Sequence, residues 1–219
     1  MSLQEERSAE TQRRLLDATL AALNELGYAG TTTPEIARRA GVSRGAQLHH
    51  FRRKEELVVR ALEYAFDLRL ARLREIALRL PVERQARVDA LVDVLWPAFK
   101  GPTFYAWLEL VIASRTNSAL REAVRGASER FVQGVHEVFR GLFGPTAETG
   151  QAEPVEVVII GLLEAFALRR ILATSEADEE RKVAPALRLV KVMAGALAER
   201  GQRPGKLGTP NLRPLHKTP

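Results

Sequence analysis

The sequence predicts an all-α chain of about nine helices, on three observations. Every long apolar segment repeats at three to four residues. No run of alternating β-branched residues bounded by hairpin turns occurs. The breaks between segments, such as KGPT, RTNS and TSEAD, are built from Gly, Pro, Ser, Thr, Asn and Asp.

The first helix is expected from Ala9 to Leu26, with Leu15, Ala18, Thr19, Ala22, Leu23 and Leu26 as its apolar stripe and Gly27 as its stop. The second opens at TTPE. Thr32 can cap it, Glu35 three residues on completes a capping box, and Pro34 falls in the first turn, where a missing N–H costs nothing. It ends at Ala40, and Gly41 supplies the left-handed stop. Ser43 can cap a third short helix reaching His50. Lys54 to about Leu80 is one long helix stopped by Pro81. Five more helices are expected at 83–100, 103–114, 118–142, 153–173 and 177–200. The last 19 residues, 201–219, hold four Pro and three Gly and are expected to form an extended basic tail.

Composition narrows the function. The chain has 219 residues, 46% hydrophobic, enough for a packed and mostly aliphatic core, since aromatics make up only 6%. With no cysteine, disulfides, thiolate metal sites and cysteine nucleophiles are excluded together. The N-terminal stretch is charged throughout, unlike a signal peptide. The most apolar stretch, 155–168, carries Glu156 and Glu164 and is too short to span a bilayer. The expectation is a soluble cytoplasmic protein without membrane contact.

Net charge is +6, and its placement says more than its total. Residues 36–60 hold seven basic side chains against two acidic ones, and the tail 201–219 holds four basic and none acidic. The basic cluster coincides with two short helices joined by GVS and preceded by a longer helix, the pattern of a helix-turn-helix. Ile36, Ala37, Ala40, Val42, Phe51 and Leu57 can form its common core. The third helix is then free to enter a major groove by its N-terminal end.

His49 and His50 invite a metal or catalytic reading. Adjacent helical residues point about 100° apart and cannot easily chelate one ion. No Ser/His/Asp arrangement or paired carboxylates accompany them. The expectation is therefore no enzyme activity, no metal and no cofactor.

Residues 11–62, with GYAGTT, IARRAGVS, the segment ending in Phe51, and KEEL, resemble the DNA-binding domain of tetracycline-repressor-type (TetR-family) transcription regulators. The resemblance implies a helix-turn-helix DNA-binding domain over 1–53, a larger helical ligand-binding and dimerisation domain over 54–200, and a helix over 54–80 linking them. It implies DNA contacts by Thr32, Thr33, Arg44, Gly45, Ala46, Gln47, His49, His50 and Lys54. Arg44 would read guanine O6 and N7, and Ala46 a thymine methyl. Thr32, Thr33 and Lys54 would hold phosphates. The family often has Leu then Tyr where this chain has Gln47 then Leu48. Either Gln47 takes a polar role or Leu48 fills the core.

The same resemblance implies an effector cavity among Trp96, Phe99, Phe104, Trp107, Val111, Phe131 and Phe166, aromatics otherwise read as ordinary core. No acid or base stands out as a polar anchor for it, and Glu109 and Arg115 are named without a specific signal. It implies a homodimer in which the last two helices pair with their symmetry mates as a four-helix bundle, through Ile160, Gly161, Leu163, Glu164, Leu168, Val190, Met193, Ala194 and Leu197. The resulting expectation is a transcriptional repressor released from a near-palindromic operator by a small-molecule effector. A nucleoid-type DNA-binding protein without a ligand switch is the alternative.

Overall fold

The computed structural model describes residues 3–143 and 154–200, the last four and the first two of the second stretch by backbone alone. The expected tail 201–219 and the side chain of Leu197 lie outside the described residues. Among the described residues there are nine helices and no strand: α1 (Leu3–Gly30), α2 (Thr33–Ala40), α3 (Arg44–His50), α4 (Lys54–Ala77), α5 (Arg84–Phe99), α6 (Pro102–Ser114), α7 (Ser118–Phe143), α8 (Pro154–Arg170) and α9 (Glu176–Arg200). None is long and apolar enough to cross a membrane.

Local chemistry sets these boundaries. α1 starts six residues before the expected Ala9, because the polar segment ahead of its stripe still has good helix formers. Gly27 breaks it with φ 66° and ψ 178°, and one further turn follows to Gly30. The N-cap of α2 is Thr32, whose hydroxyl accepts the N–H of Glu35 at 3.4 Å. The capping box is only half formed, since the Glu35 carboxylate turns to Arg38 and Arg39 instead of Thr32. Gly41 ends α2 in the left-handed conformation, φ 62° and ψ 38°. Ser43 caps α3 by accepting the N–H of Ala46 at 3.1 Å. The cap of α5 is Glu83, whose two carboxylate oxygens accept the N–H groups of Gln85 and Ala86. α5 and α9 run through Pro97 and Pro185, which both lie on exposed faces.

Packing divides the chain into two units that do not follow chain order. Among the described residues, one comprises those up to Arg69 with Gly101–Val132, the other Leu70–Lys100 with those from Gln133 onward. In the first unit, α1, α2 and α3 close on Leu15, Ala22, Ile36, Phe51 and Leu57, all at most 3% exposed. A second cluster joins α1, α4, α6 and α7 through Leu23, Leu62, Leu110 and Leu120, each fully buried. At about 25 cal/mol per Å² of apolar surface, each such leucine contributes about 2 kcal/mol.

The second unit is a bundle in which α5, α8 and α9 pack together. Its core includes Leu91 and Val92 of α5, Leu163 and Ala167 of α8, and Val190 and Ala194 of α9. Arg87 is only 9% exposed, yet its guanidinium is satisfied by the carbonyls of Pro81, Val82 and Leu142. It thereby fastens the end of α7 to the start of α5.

Candidate nucleic-acid interface

The turn between α2 and α3 is held from below by α1. Arg14 donates through Nη2 to the carbonyl oxygens of Ala40 and Gly41, the latter at 3.1 Å. Those carbonyls end α2 and have no intrahelical donor. A Cβ on Gly41 would lie 2.7 Å from that same Nη2. Glycine therefore serves two needs here, the positive φ and the close approach of Arg14.

α3 has one buried and one open side. Ala46 is half-buried and Gln47 only 1% exposed, whereas Arg44, Gly45, Leu48 and His49 are exposed. Gln47, expected among the DNA contacts, instead faces inward. Its Nε2 donates to the Phe51 carbonyl at 2.5 Å, and its side chain lies within the unit. Leu48, at 42% exposure, is the outward member of the pair. The reason is periodicity: Phe51 must enter the core to close the helix-turn-helix, and Gln47, four residues earlier, shares its face.

The basic cluster is less available than its count suggests. Glu35 binds both Arg38 and Arg39, and Arg39 also reaches Glu25 at 2.7 Å. Hydrogen bonds from Arg38 and then Arg39 hold the Glu35 carboxyl down to about 2. Arg44, Arg52 and Arg53 are exposed. Lys54 is half-buried, its ammonium donating to the Tyr28 carbonyl and lying 3.9 Å from the centre of the Tyr28 ring. Burial draws its pKa below the ordinary lysine value. An ammonium has three N–H donors, and the Tyr28 carbonyl takes one. Thr32 is exposed and Thr33 half-exposed.

His49 and His50 sit edge to face with ring centres 5.4 Å apart. His49 is exposed and His50 half-buried, and burial, then the neighbouring His49, lowers the His50 pKa. Among the described residues no group of three or more His, Cys, Asp or Glu is placed to hold a metal ion.

The expected effector residues divide between the units. Phe104, Trp107 and Val111 of α6 and Phe131 of α7 belong to the first, Trp96 and Phe99 of α5 and Phe166 of α8 to the second. In the first unit, Phe131 stacks on Phe66 at 4.3 Å, Trp107 donates to the Ser128 hydroxyl at 3.1 Å, and Phe104 is 2% exposed. In the second, Trp96 and Phe99 are buried and Phe166 is half-buried. Glu109 was expected as an effector anchor, but its carboxylate accepts the N–H of Tyr28 at 2.9 Å just after the Gly27 break. It acts as a cap supplied by α6. Arg115 is exposed.

The expected dimer residues also separate. Leu163, Val190 and Ala194 are at most 2% exposed within the single chain, so they belong to its own core and are not free to meet a partner. Gly161, Leu168 and Met193 are exposed, and Ile160 and Glu164 partly so. Sequence reasoning missed their exposed apolar neighbours Val157, Ile171, Leu189 and Val192, because both sides of α8 and α9 are apolar and periodicity alone does not say which side is inward.

A short, capped helix presenting Arg44 and His49, backed by a second short helix and a basic rim, defines a DNA-binding protein of the helix-turn-helix class. The sequence model of a family described as bacterial regulatory proteins, tetR family, matches residues 15–61. The chain is 32% identical over 179 residues to the HTH-type transcriptional regulator CymR of Pseudomonas putida, covering 81% of this chain and 86% of that protein. A regulator assigned to the same family from Mesorhizobium loti has a crystal structure matching with TM-score 0.70 at 19% identity, over 89% of this chain and 98% of the other. The regulator FadR of Bacillus subtilis, solved with stearoyl-CoA, matches with TM-score 0.61 at 16% identity, over 87% of this chain and 99% of the other. The chain belongs to the tetR family of bacterial transcriptional regulators.

Proposed function

We propose that the chain is a cytoplasmic repressor that binds a near-palindromic operator as a homodimer and is released by a small-molecule effector. Residues 1–53 read DNA, 54–200 bind effector and partner, and α4 carries the signal between them. The observation that supports this best is the open side of α3, where Arg44, Gly45, Leu48 and His49 are exposed together. An exposed arginine at the leading end of such a helix can pair with guanine O6 and N7. Lys54, Thr32 and Thr33 set the register on phosphates.

The dimer is supported by the outward apolar stripe of α8 and α9, where Val157, Leu168, Leu189 and Val192 are 44–65% exposed. Large apolar side chains left this exposed suit a partner surface. An effector is supported by the relative solved with stearoyl-CoA, whose fold this chain shares. It releases DNA only by binding the two conformations unequally.

Selection of DNA by the full chain from a random duplex library tests the reading. A two-fold symmetric consensus is expected. Uniform enrichment of all sequences would leave the nucleoid-type alternative instead.

A further inference from the structure

We infer that Leu48 reads the 5-methyl group of a thymine next to the base contacted by Arg44. This rests on α3 being the DNA-reading helix. Leu48 is 42% exposed on a helix whose other open positions are Arg44, Gly45 and His49. It follows Arg44 by four residues and Gly45 by three, so all three share one side of the helix. Its orientation is enforced, because the Gln47 side chain is buried and bonded to the Phe51 carbonyl. Apart from its chain neighbours and the helix's own backbone, among the described residues a Cβ placed on Gly45 would meet within 4 Å just the Ser43 hydroxyl, at 3.8 Å. The helix is therefore low at this point, and a base pair can come close to the backbone. The next side chain it meets is Leu48.

Leucine offers neither donor nor acceptor. In the major groove guanine shows two acceptors, cytosine a donor, adenine one of each, and thymine an acceptor together with a methyl group that no other base carries. Against the other three bases Leu48 would strip water from a polar group and return nothing. Against thymine it buries a methyl, a gain of about fourfold in affinity per half-site at the usual transfer value.

The test is in vitro selection by the full chain from two random duplex libraries, one made with thymine and one with deoxyuridine, which lacks only the methyl. The unaltered protein should enrich one thymine position per half-site in the first library, and that preference should vanish in the second. Leu48→Ala should lose the same position in the thymine library while keeping the others, and Leu48→Met should retain it. A preference that persists with deoxyuridine, or survives Leu48→Ala, overturns the inference while leaving the DNA-binding reading intact. Failure to enrich any sequence overturns both.

Discussion

The ammonium of Lys54, first residue of α4, rests on Tyr28 at the end of α1, bonded to its carbonyl and 3.9 Å from its ring centre. The contact ties the helix that leads away from the DNA-reading unit to the helix that supports it. Replacing Lys54 by Met should lower stability by about 1–2 kcal/mol, from a charged hydrogen bond and a cation–π contact. It should also reduce the slope of log affinity against log salt by about one, for one lost phosphate. Thermal unfolding and salt-dependent binding to the selected DNA check the two parts separately. A lower melting temperature with an unchanged slope would make Lys54 a tether and nothing more.

Gln47 carries a buried Oε1 with no hydrogen-bond partner, beside an Nε2 that has one. Exchanging it for Leu removes the unsatisfied Oε1 but takes the Nε2 donor from the Phe51 carbonyl, so the two effects oppose and the net change in stability should stay within about 1 kcal/mol. Operator affinity should be unchanged. A loss of affinity in Gln47→Leu, with melting temperature preserved, would return Gln47 to the DNA contacts.

Arg14 closes the α2 end by bonding the Ala40 and Gly41 carbonyls. Arg14→Met leaves both to water and should cost about 1 kcal/mol. Gly41→Ala should cost about 1 kcal/mol for the left-handed backbone, and adds a clash with Arg14. Both should weaken operator binding without altering its salt slope, because neither residue is among the proposed phosphate contacts and the Arg14 guanidinium is engaged by the Ala40 and Gly41 carbonyls. Combined Gly41→Ala and Arg14→Met should cost less than the sum of the two, since the clash is then gone.

Glu164 lies half-buried between exposed Gly161 and Leu168, on the side of α8 assigned to the dimer. Burial raises its pKa above the usual 4.5. A raised carboxyl favours the folded chain fully below pH 4.5, and that contribution is lost as pH rises through the higher folded value; further burial of the same carboxylate against a partner would extend this to the dimer. Glu164→Gln should therefore strengthen the dimer at neutral pH and change little near pH 4. Sedimentation at both pH values measures this. Equal effects at the two would place Glu164 outside the interface.

Local chemistry was legible before any tertiary structure. Thr32, Gly41 and Ser43 act within three or four residues of themselves, so their capping and stop roles could be read directly. Phe51 and Ile36 had to be core because few other large apolar residues occur in that stretch. Glu109 could not be placed, since its partner Tyr28 is 81 positions away. A count of basic residues includes Arg38 and Arg39 as open charge, whereas the folded chain pairs them with Glu25 and Glu35.

By itself the sequence determined the helices, their caps and breaks, and the short unit that presents α3, because each depends on neighbours along the chain. Only the tertiary structure decided which sides of those helices face outward. That choice turned Gln47 inward and Leu48 outward, and it placed Leu163, Val190 and Ala194 in the core of α8 and α9 with Leu168, Leu189 and Val192 outside. Helical spacing marks a stripe as apolar, but burial depends on which distant helix arrives to cover it.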